Sequence, residues 1–365
     1  MGYADGKTWK PTLPALVQAL QKSGIRNPHV LKASDRHLVL SAEKSGAALL
    51  GFNLTSDTLT PFLAKTLGGE WGKEGYMVPL VVKVSFDEAD RLLAMNEMMM
   101  ATVLMPSTRA AGVNLPIRVD LLQGPGFLAT LWRRVQGEPL ATSIEMTAAQ
   151  DRMTASDWQQ LARVVHAGDE LHALGGSEEE ISAALPGLHP WPDAWLLDRL
   201  YSNLKQAVER GFLTQAQSRT LALMHGRSPE RRFQHHDLGP WNLLREEKTG
   251  GLVLLDPEFG GWRHQLYDAV YLLLQWTLNK PYPAGARAWW AALVAEFGED
   301  RLSWMMTKEA RPAVIYRLAA TMKELDDSPA TQARVRALVE AMLSPHPDQY
   351  LDFLSGAEPD EVYGL

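Results

Sequence analysis

The stretch FQHHDLGPWNLL, residues 233–244, places an acid, Asp237, two residues after His235 and five residues before an amide, Asn242. A second acid, Asp256, follows the apolar run LVLL and lies fourteen residues after Asn242. Transfer of a phosphoryl group needs a carboxylate that positions the acceptor hydroxyl and oxygen ligands that hold Mg²⁺ against the phosphates. The three residues therefore predict a phosphoryl-transfer site, with Asp237 at the hydroxyl and with Asn242 and Asp256 on the metal.

The two adjacent histidines of this stretch also suggest a metal site. Neighbouring residues of an extended chain point in opposite directions, however, and no third ligand recurs at a useful spacing, so zinc is not expected. We expect His235 to orient the loop, whereas His236 has no predicted role. Glu258, two residues after Asp256, either assists the metal or faces water.

An ordinary globular composition surrounds these residues. The 365-residue chain is 46% hydrophobic and 22% charged, which is typical of soluble proteins. Its net charge of −7 argues against nucleic acid as a partner, because neutralising phosphates requires a basic surface. The absence of cysteine excludes thiol nucleophiles, disulfides and cysteine-based metal sites. These features predict a protein of the reducing cytoplasm.

Neither export nor a membrane partner is expected. Residues 1–17 lack the basic start and the apolar core of a signal peptide, and Gly6 stands where a myristoylation motif requires Ser or Thr. The most apolar run, residues 269–278, is shorter than the ~20 residues that cross a bilayer, so it predicts a buried helix.

The first part of the chain is predicted to be rich in strands. It begins with an N-terminal helical extension, residues 1–28, in which apolar residues recur every three or four positions before Gly24. Short alternating or β-branched runs then predict strands, among them YMVPLVVKVSF. One helix, 87–105, interrupts the strands and is predicted to end at Pro106. The turn-forming QGPG separates two strands of a hairpin that ends near Arg134.

The second part is predicted to be helical. The segment TASDWQQLARVVHAGDELHAL begins at a Ser or Thr cap, and apolar periodicity predicts further helices at 192–210, 214–225, 285–297 and 330–343. Strands are expected to recur only around 241–256. The predicted fold class is α+β, with a sheet-rich N-lobe and a mainly helical C-lobe, and two lobes imply a cleft in which small molecules bind.

The motifs HHDLGPWN, LLDPEFGG and LYDAVYLL, taken in this order, resemble those of the aminoglycoside phosphotransferase family, which includes other small-molecule kinases. The resemblance covers about residues 29 to 280 and implies a bilobal protein-kinase-like fold. It implies a nucleotide-binding N-lobe at 29–131, a hinge at 132–138, and a helical C-lobe at 139–365 with the catalytic loop and the substrate site. Asp268 matches an acid that begins a helix and braces the site.

The same resemblance assigns residues to the nucleotide. Lys83, late in a predicted strand, and Glu97, fourteen residues later in the predicted helix, match the family's phosphate-gripping lysine and its ion-pair partner. Adenine is expected at the backbone near Trp132, Arg133 and Arg134. The implied cofactors are ATP or GTP, together with Mg²⁺.

The sequence offers two candidates for the loop that covers the phosphates and does not decide between them. One lies around Ser45 and Gly46, and the other is the glycine-rich stretch from Gly68 to Gly75. Either could cover phosphates with backbone N–H groups. The stretch 55–75 also has the character of an insertion.

These observations predict an enzyme that moves the γ-phosphate of a nucleoside triphosphate to a hydroxyl of a small molecule, such as an antibiotic, a sugar or an amino alcohol. The alternatives are an atypical protein serine/threonine kinase and a non-catalytic nucleotide-binding pseudokinase. Only eleven residues separate Asp256 from Asp268, too few for the activation segment of a protein kinase, which favours the small molecule. The protein is expected to act as a monomer or a homodimer.

Overall fold

The structure is a computed structural model, and it describes residues 12–34, 37–45, 77–140, 153–175, 193–225, 231–279, 282–346 and 349–355. The chain divides into two compact units. The first comprises Met1–Met98 and Pro116–Gln136, and the second comprises Met99–Leu115 and Gly137–Leu365. Strands dominate the first unit and helices the second, so the predicted α+β class is confirmed.

The described residues contain eleven strands. They are β1 (Ile25–Ala33), β2 (His37–Ser45), β3 (Met77–Ser85), β4 (Val113–Asn114), β5 (Arg118–Gly124), β6 (Phe127–Arg133), β7 (Gly137–Pro139), β8 (Arg231–Gln234), β9 (Leu243–Glu246), β10 (Leu252–Leu254) and β11 (Gly261–His264).

Eleven α-helices lie in the same part of the chain. They are α1 (Leu13–Lys22), α2 (Glu88–Ala110), α3 (Ala155–Gly175), α4 (Asp193–Glu209), α5 (Gln215–His225), α6 (Tyr267–Leu274), α7 (Pro283–Phe297), α8 (Glu299–Trp304), α9 (Arg311–Glu324), α10 (Pro329–Leu343) and α11 (Gln349–Leu354).

The first unit is built on a five-stranded antiparallel sheet with the order β1-β2-β3-β6-β5. Alternate residues of β2 and β3 are buried, as the period of two along a strand requires when one face covers a core. In β3 the buried face carries Val78, Leu80, Val82 and Val84. Lys83 therefore points to the opposite face of the sheet.

Helix α1 belongs to the core of this sheet. Its Leu16 and Leu20 are buried in one hydrophobic cluster with residues of β2, β3 and β6. The helix expected in the N-terminal extension is thus present, and the first strand begins at Ile25, three residues before the end of the predicted extension.

Helix α2 is longer than predicted. It continues through Pro106 to Ala110, whereas the sequence interpretation ended it at that proline. Proline removes one backbone hydrogen bond from a helix and costs ~3 kcal/mol, a penalty that the packing of a long helix can exceed. The helix begins in the first unit and ends in the second.

Two small sheets occur in the second unit. One has the order β4-β10-β9-β7, and the other pairs β11 with β8 antiparallel. The prediction that strands recur only around 241–256 in the second part of the chain is wrong, because β8 and β11 lie outside that range. Each contains only four residues, which is too short to produce a readable alternation in the sequence.

One hydrophobic core fills the second unit. At its centre lies the apolar run of the sequence, which forms α6 and continues as a π-helical turn at Gln275–Asn279, with every residue of α6 buried. The buried helix predicted there is confirmed. Among the described helices, none combines the length and the apolar character needed to cross a bilayer.

Candidate active site

The loop that carries Asp237 connects β8 to a short 3-10 helix, Pro240–Asn242, which leads directly into β9. Pairing of β8 with β11 sets Gln234 opposite Gly261 and so fixes where the loop begins. The loop itself contains no regular backbone pairing, and its conformation depends on side chains that reach into it.

Asp268 anchors this loop. One carboxylate oxygen, Oδ2, accepts the backbone N–H of His235 at 2.6 Å, and the other, Oδ1, accepts the N–H of His236 at 2.7 Å. Asp268 lies in the first turn of α6 and is only 3% exposed. Its own N–H donates to Oε1 of Gln234 at 3.1 Å. These bonds hold His236 at a φ of 76°, a left-handed conformation that non-glycine residues seldom adopt.

His235 joins the loop to the strand that precedes Asp256. Its Nε2 lies 2.9 Å from the carbonyl oxygen of Leu255, and its Nδ1 accepts the N–H of Asp237 at 3.3 Å. This pattern requires a neutral ring that carries its proton on Nε2. Burial lowers the pKa of His235, because a charged imidazolium would lose its hydration there. The contacts are those of an orienting residue.

The carboxylate of Asp237 is held from both sides. Nδ2 of Asn242 donates to its Oδ2 at 2.9 Å and to the Asp237 carbonyl oxygen at 2.9 Å. On the other side, the Tyr271 hydroxyl donates to Oδ1 at 2.7 Å, and Nε1 of Trp241 lies 3.4 Å from the same oxygen. Asp237 remains partly exposed, so a group from solvent can still reach it.

Asn242 and Asp256 meet at one end of a hairpin. Strand β9 pairs antiparallel with β10, with Leu243 opposite Leu254, and the N–H of Leu255 donates to the carbonyl oxygen of Asn242 at 2.7 Å. Asp256 follows at a φ of 52°, so the chain turns sharply just after the strand. The β9–β10 hairpin thus places the amide and the acid at the same end.

This donor set suits Mg²⁺. Nδ2 of Asn242 donates to Asp237, so Oδ1 of Asn242 is the atom that could bind the metal. Asp256 supplies a carboxylate. In the described part of the chain, no group of three or more His, Asp or Glu side chains could hold a metal by itself. Mg²⁺ commonly binds one or two protein oxygens and completes its shell with phosphates and water, so the two residues fit this ion.

The first unit contains the second group of candidate residues. Nζ of Lys83, on β3, lies 2.6 Å from Oε1 of Glu97, on α2. The side chain of Glu97 is 5% exposed and that of Lys83 is 25% exposed. A buried carboxylate thus holds a lysine whose side chain is partly exposed.

Trp132, Arg133 and Arg134 lie at and just after the end of β6, also in the first unit. The Trp132 side chain is buried in the sheet. The N–H of Arg133 donates to Ile117 and the N–H of Arg134 donates to Pro79, each at 2.8 Å to the carbonyl oxygen. Both N–H groups are occupied by the sheet, so a base held here must use carbonyl oxygens or the residues that follow.

The predicted phosphate loops fall almost wholly outside the described residues. Ser45 ends β2, whereas Gly46, the stretch from Gly68 to Gly75 and the whole of the 55–75 insertion are not among them. The side chain of Glu258 also lies outside the described set.

Tyr271 and Arg317 contribute to the site although the sequence predicted no role for them, and Trp241, which the sequence suggested as a core residue or a substrate-stacking ring, contacts Asp237 instead. The Arg317 guanidinium lies 4.0 Å from the centre of the Tyr271 ring, and Nη1 lies 3.4 Å from the Tyr267 hydroxyl. The available signal for the tyrosines was their spacing of four residues, since Tyr267 and Tyr271 are, besides Asp268, the only residues of α6 with a polar group in the side chain. That pattern is equally typical of core packing.

Comparison with known proteins gives one matching family model and several similar solved structures. A family model described as the phosphotransferase enzyme family, APH, matches residues 70–289. No curated protein sequence matches the chain.

Three solved structures show the degree of structural similarity. An aminoglycoside 2'-phosphotransferase in complex with GDP is 16% identical, with a TM-score of 0.49 over 94% of this chain and 99% of the other. An ethanolamine kinase from Plasmodium vivax is 9% identical, with a TM-score of 0.46 over 91% and 86%. A spectinomycin phosphotransferase with ADP and spectinomycin is 11% identical, with a TM-score of 0.45 over 96% and 98%.

Proposed function

Because this chain belongs to the phosphotransferase enzyme family, we propose that it transfers the γ-phosphoryl group of ATP or GTP to a hydroxyl of a small molecule. One observation carries the proposal: the Asp237 carboxylate is fixed by donors on both oxygens and remains partly exposed. A general base must be rigid and must be within reach of the proton that it accepts. Function is thus argued from the site and not from the fold alone.

Asp237 would orient the acceptor hydroxyl and take its proton. The acceptor oxygen forms a bond to the γ-phosphorus while the bond from that phosphorus to the bridging oxygen breaks, and the nucleoside diphosphate leaves. In a loose transition state, positioning and charge stabilisation supply most of the rate, so the value of Asp237 lies chiefly in its fixed geometry.

Asn242 and Asp256 would hold Mg²⁺ at the end of the β9–β10 hairpin. A bound Mg²⁺ would neutralise charge that builds up on the phosphates. The turn at Asp256 and the Leu255 to Asn242 hydrogen bond keep both ligands at one end of the hairpin without help from the metal.

Lys83 would bind the nucleotide phosphates, with Glu97 as its ion-pair partner. An ammonium group has three donors, so one that is held at one side by a carboxylate can still donate to a phosphate oxygen. For the base, the backbone beyond Arg134 is the better candidate, because the sheet already uses the N–H groups of Arg133 and Arg134.

The interval from Asp256 to Asp268 bears on the protein-kinase alternative. Most of it forms a 3-10 turn at Pro257–Phe259, strand β11 and the start of α6. No stretch remains in this described interval for an activation segment that could bind a peptide. A small acceptor is therefore favoured.

Two measurements test the proposal in sequence. Thermal unfolding with ATP or GTP, with and without Mg²⁺, should show a metal-dependent rise in melting temperature, because a ligand that binds the native state stabilises it. Phosphate transfer should then appear with at least one member of a panel of aminoglycosides, macrolides, sugars and amino alcohols.

Two variants separate the assigned roles. Asp237→Ala should keep the Mg²⁺-nucleotide stabilisation and lose transfer, whereas Asp256→Ala should lose the Mg²⁺-dependent part of the stabilisation. Turnover that survives in Asp237→Ala would contradict the mechanism. Stabilisation by nucleotide without any transfer across the panel would instead favour the non-catalytic alternative.

A further inference from the structure

We propose that Tyr271 is a positioning residue for Asp237 and that Arg317 holds the Tyr271 ring in place for this task. The proposal rests on the phosphotransferase function proposed above. Its basis is a chain of contacts in the second unit: the Tyr271 hydroxyl meets Asp237 Oδ1 at 2.7 Å, and the Arg317 guanidinium lies over the Tyr271 ring at 4.0 Å.

The donors around Asp237 leave one oxygen available for the acceptor. A carboxylate offers about four acceptor positions, two on each oxygen. Oδ1 faces both Tyr271 and Trp241, whereas Oδ2 faces only the Asn242 amide among the described residues. Tyr271 therefore both fixes the plane of the carboxylate and directs the acceptor hydroxyl to Oδ2.

The Tyr271 hydroxyl is suited to act as a permanent donor. Burial raises the pKa of Tyr271, and the nearby Asp237 charge raises it further. The phenol thus stays protonated at every working pH and keeps donating its hydrogen bond to Oδ1. It holds the carboxylate without competing with it for a proton.

Arg317 supplies the rigidity. It is 8% exposed, and no carboxylate of the described residues lies within ion-pair distance, although Glu324 interacts with it electrostatically at longer range. Burying a cation is costly unless its surroundings compensate the charge, and the face of an aromatic ring attracts a cation. Arg317 also lies 3.4 Å from the Tyr267 hydroxyl, and the Tyr267 ring stacks on His236 at 4.5 Å. One guanidinium therefore supports two tyrosines that contact consecutive residues of the loop.

The kinetic test compares two tyrosines. Tyr271→Phe removes only the hydroxyl and should lower kcat roughly 10- to 100-fold, as expected for one hydrogen bond to a charged group. The KM for the nucleotide and the Mg²⁺-ATP stabilisation should stay unchanged, because neither depends on Asp237 Oδ1. Tyr316→Phe, which alters another buried tyrosine packed against Tyr267, should behave as wild type.

Arg317→Met gives a second variant with an intermediate expectation. Methionine fills the site without charge, so the Tyr271 hydroxyl remains but its ring is less constrained, and kcat should fall by less than in Tyr271→Phe. If Tyr271→Phe matches wild type while Asp237→Ala is inactive, the positioning role is overturned and the proposed function stands.

A spectroscopic test does not require turnover. The chain contains nine tyrosines, so protein labelled with 3-fluorotyrosine gives nine fluorine signals, and the one lost in Tyr271→Phe identifies Tyr271. Asp237→Asn should shift that signal, and Asp352→Asn, on an exposed helical position, should not. A Tyr271 signal that Asp237→Asn leaves unmoved would refute the contact, whether or not an acceptor has been found.

Discussion

Lys83 and Asp237 are held in place by different means. Lys83 belongs to a central strand of a regular sheet, and an ion pair to Glu97 of helix α2 holds its ammonium group. Asp237 belongs to a loop with no strand pairing of its own, and its carboxylate is fixed by three side chains, Asn242, Tyr271 and Trp241. The sheet supports the first residue, whereas side chains from other elements support the second.

The difference has consequences for how each site fails. In the first unit the sheet persists when the ion pair is lost, so the damage should stay local and should depend on one buried charge. In the second unit Asp268 holds the backbone of the loop, and His235 hydrogen-bonds to the carbonyl oxygen of Leu255. Asn242 and Tyr271 hold the Asp237 carboxylate. Because these bonds share members, loss of one should alter the others, and their effects should not add.

The largest effect on activity is expected from Asp237→Asn. An amide cannot act as the base that takes the proton of the substrate hydroxyl, so kcat should fall about 10²- to 10⁴-fold. In addition, the new amide nitrogen would face a donor in either orientation, Nδ2 of Asn242 on one side or Nε1 of Trp241 on the other, and this should cost ~1–2 kcal/mol of unfolding free energy. Steady-state kinetics and urea unfolding measure the two effects. Retained kcat would show that the loop does not carry the chemistry.

The largest effect on stability is expected from Asp268→Asn. The carboxylate accepts two buried backbone N–H groups, and an asparagine can accept only one while its own amide would face the other. Since charge-assisted bonds are the strong ones, the loss should be ~2–4 kcal/mol. The midpoint of urea unfolding should fall and kcat should fall with it, because His236 is no longer held at its left-handed φ.

Asp352→Asn, on an exposed turn of α11, is the matched control for that experiment and should leave the midpoint unchanged. If Asp268→Asn unfolds at the wild-type urea concentration, then the loop is held by something other than this carboxylate, and the contrast between the two regions is lost.

The regular parts of both units could be predicted from the sequence, because they depend on local periodicity. Alternation in YMVPLVVKVSF predicted β3, and apolar repeats predicted the helices that became α4, α5, α7 and α10. The end of α2 could not be predicted, since Pro106 breaks helices locally and only long-range packing retains the helix beyond it.

The site could be predicted only in part for the same reason. Asp237, Asn242 and Asp256 lie within twenty residues, and a hairpin is a local element, so their neighbourhood was foreseeable. The contact of Tyr271 with Asp237 spans 34 residues, and that of Arg317 with Tyr267 spans 50. Both depend on how helices pack, and no short pattern in one sequence encodes that packing.

Lys83→Met tests the simpler region and should have a smaller effect on the fold. Loss of the ammonium group should raise the nucleotide KM roughly tenfold or more, because a charge-assisted bond to phosphate disappears. It also deprives the buried Glu97 carboxylate of this partner, which should cost ~1–3 kcal/mol. Nucleotide titration and urea unfolding measure the two losses.

The double variant Lys83→Met with Glu97→Met sharpens this test. Replacing a buried ion pair by apolar side chains is often neutral for stability, so the double variant should regain the unfolding midpoint that Lys83→Met loses. Its nucleotide KM should stay high. If the midpoint is not regained, the pair is part of a wider network, and the first unit resembles the second in the way it holds its residue.

The smallest effect is a pH dependence that should distinguish the loop from the rest of the protein. The pKa of His235 is lowered in the folded state by burial, below the ~6.5 of an unfolded histidine. Below pH ~6.5 the unfolded chain therefore binds a proton that the native loop resists, so the free energy of unfolding should fall as the pH falls, by at most ~1.4 kcal/mol per pH unit.

His235→Gln is the matched variant, because it keeps an N–H donor for Leu255 and has no proton to gain. The free energy of unfolding in urea is measured for both proteins between pH 7.5 and 5, and their difference at each pH removes the contribution of the carboxylates. The wild type should lose more stability across this window than the variant does. Parallel curves would mean that the loop accommodates a charged imidazolium, and the neutral ring that bridges Asp237 and Leu255 would then be the wrong description of how the loop is held.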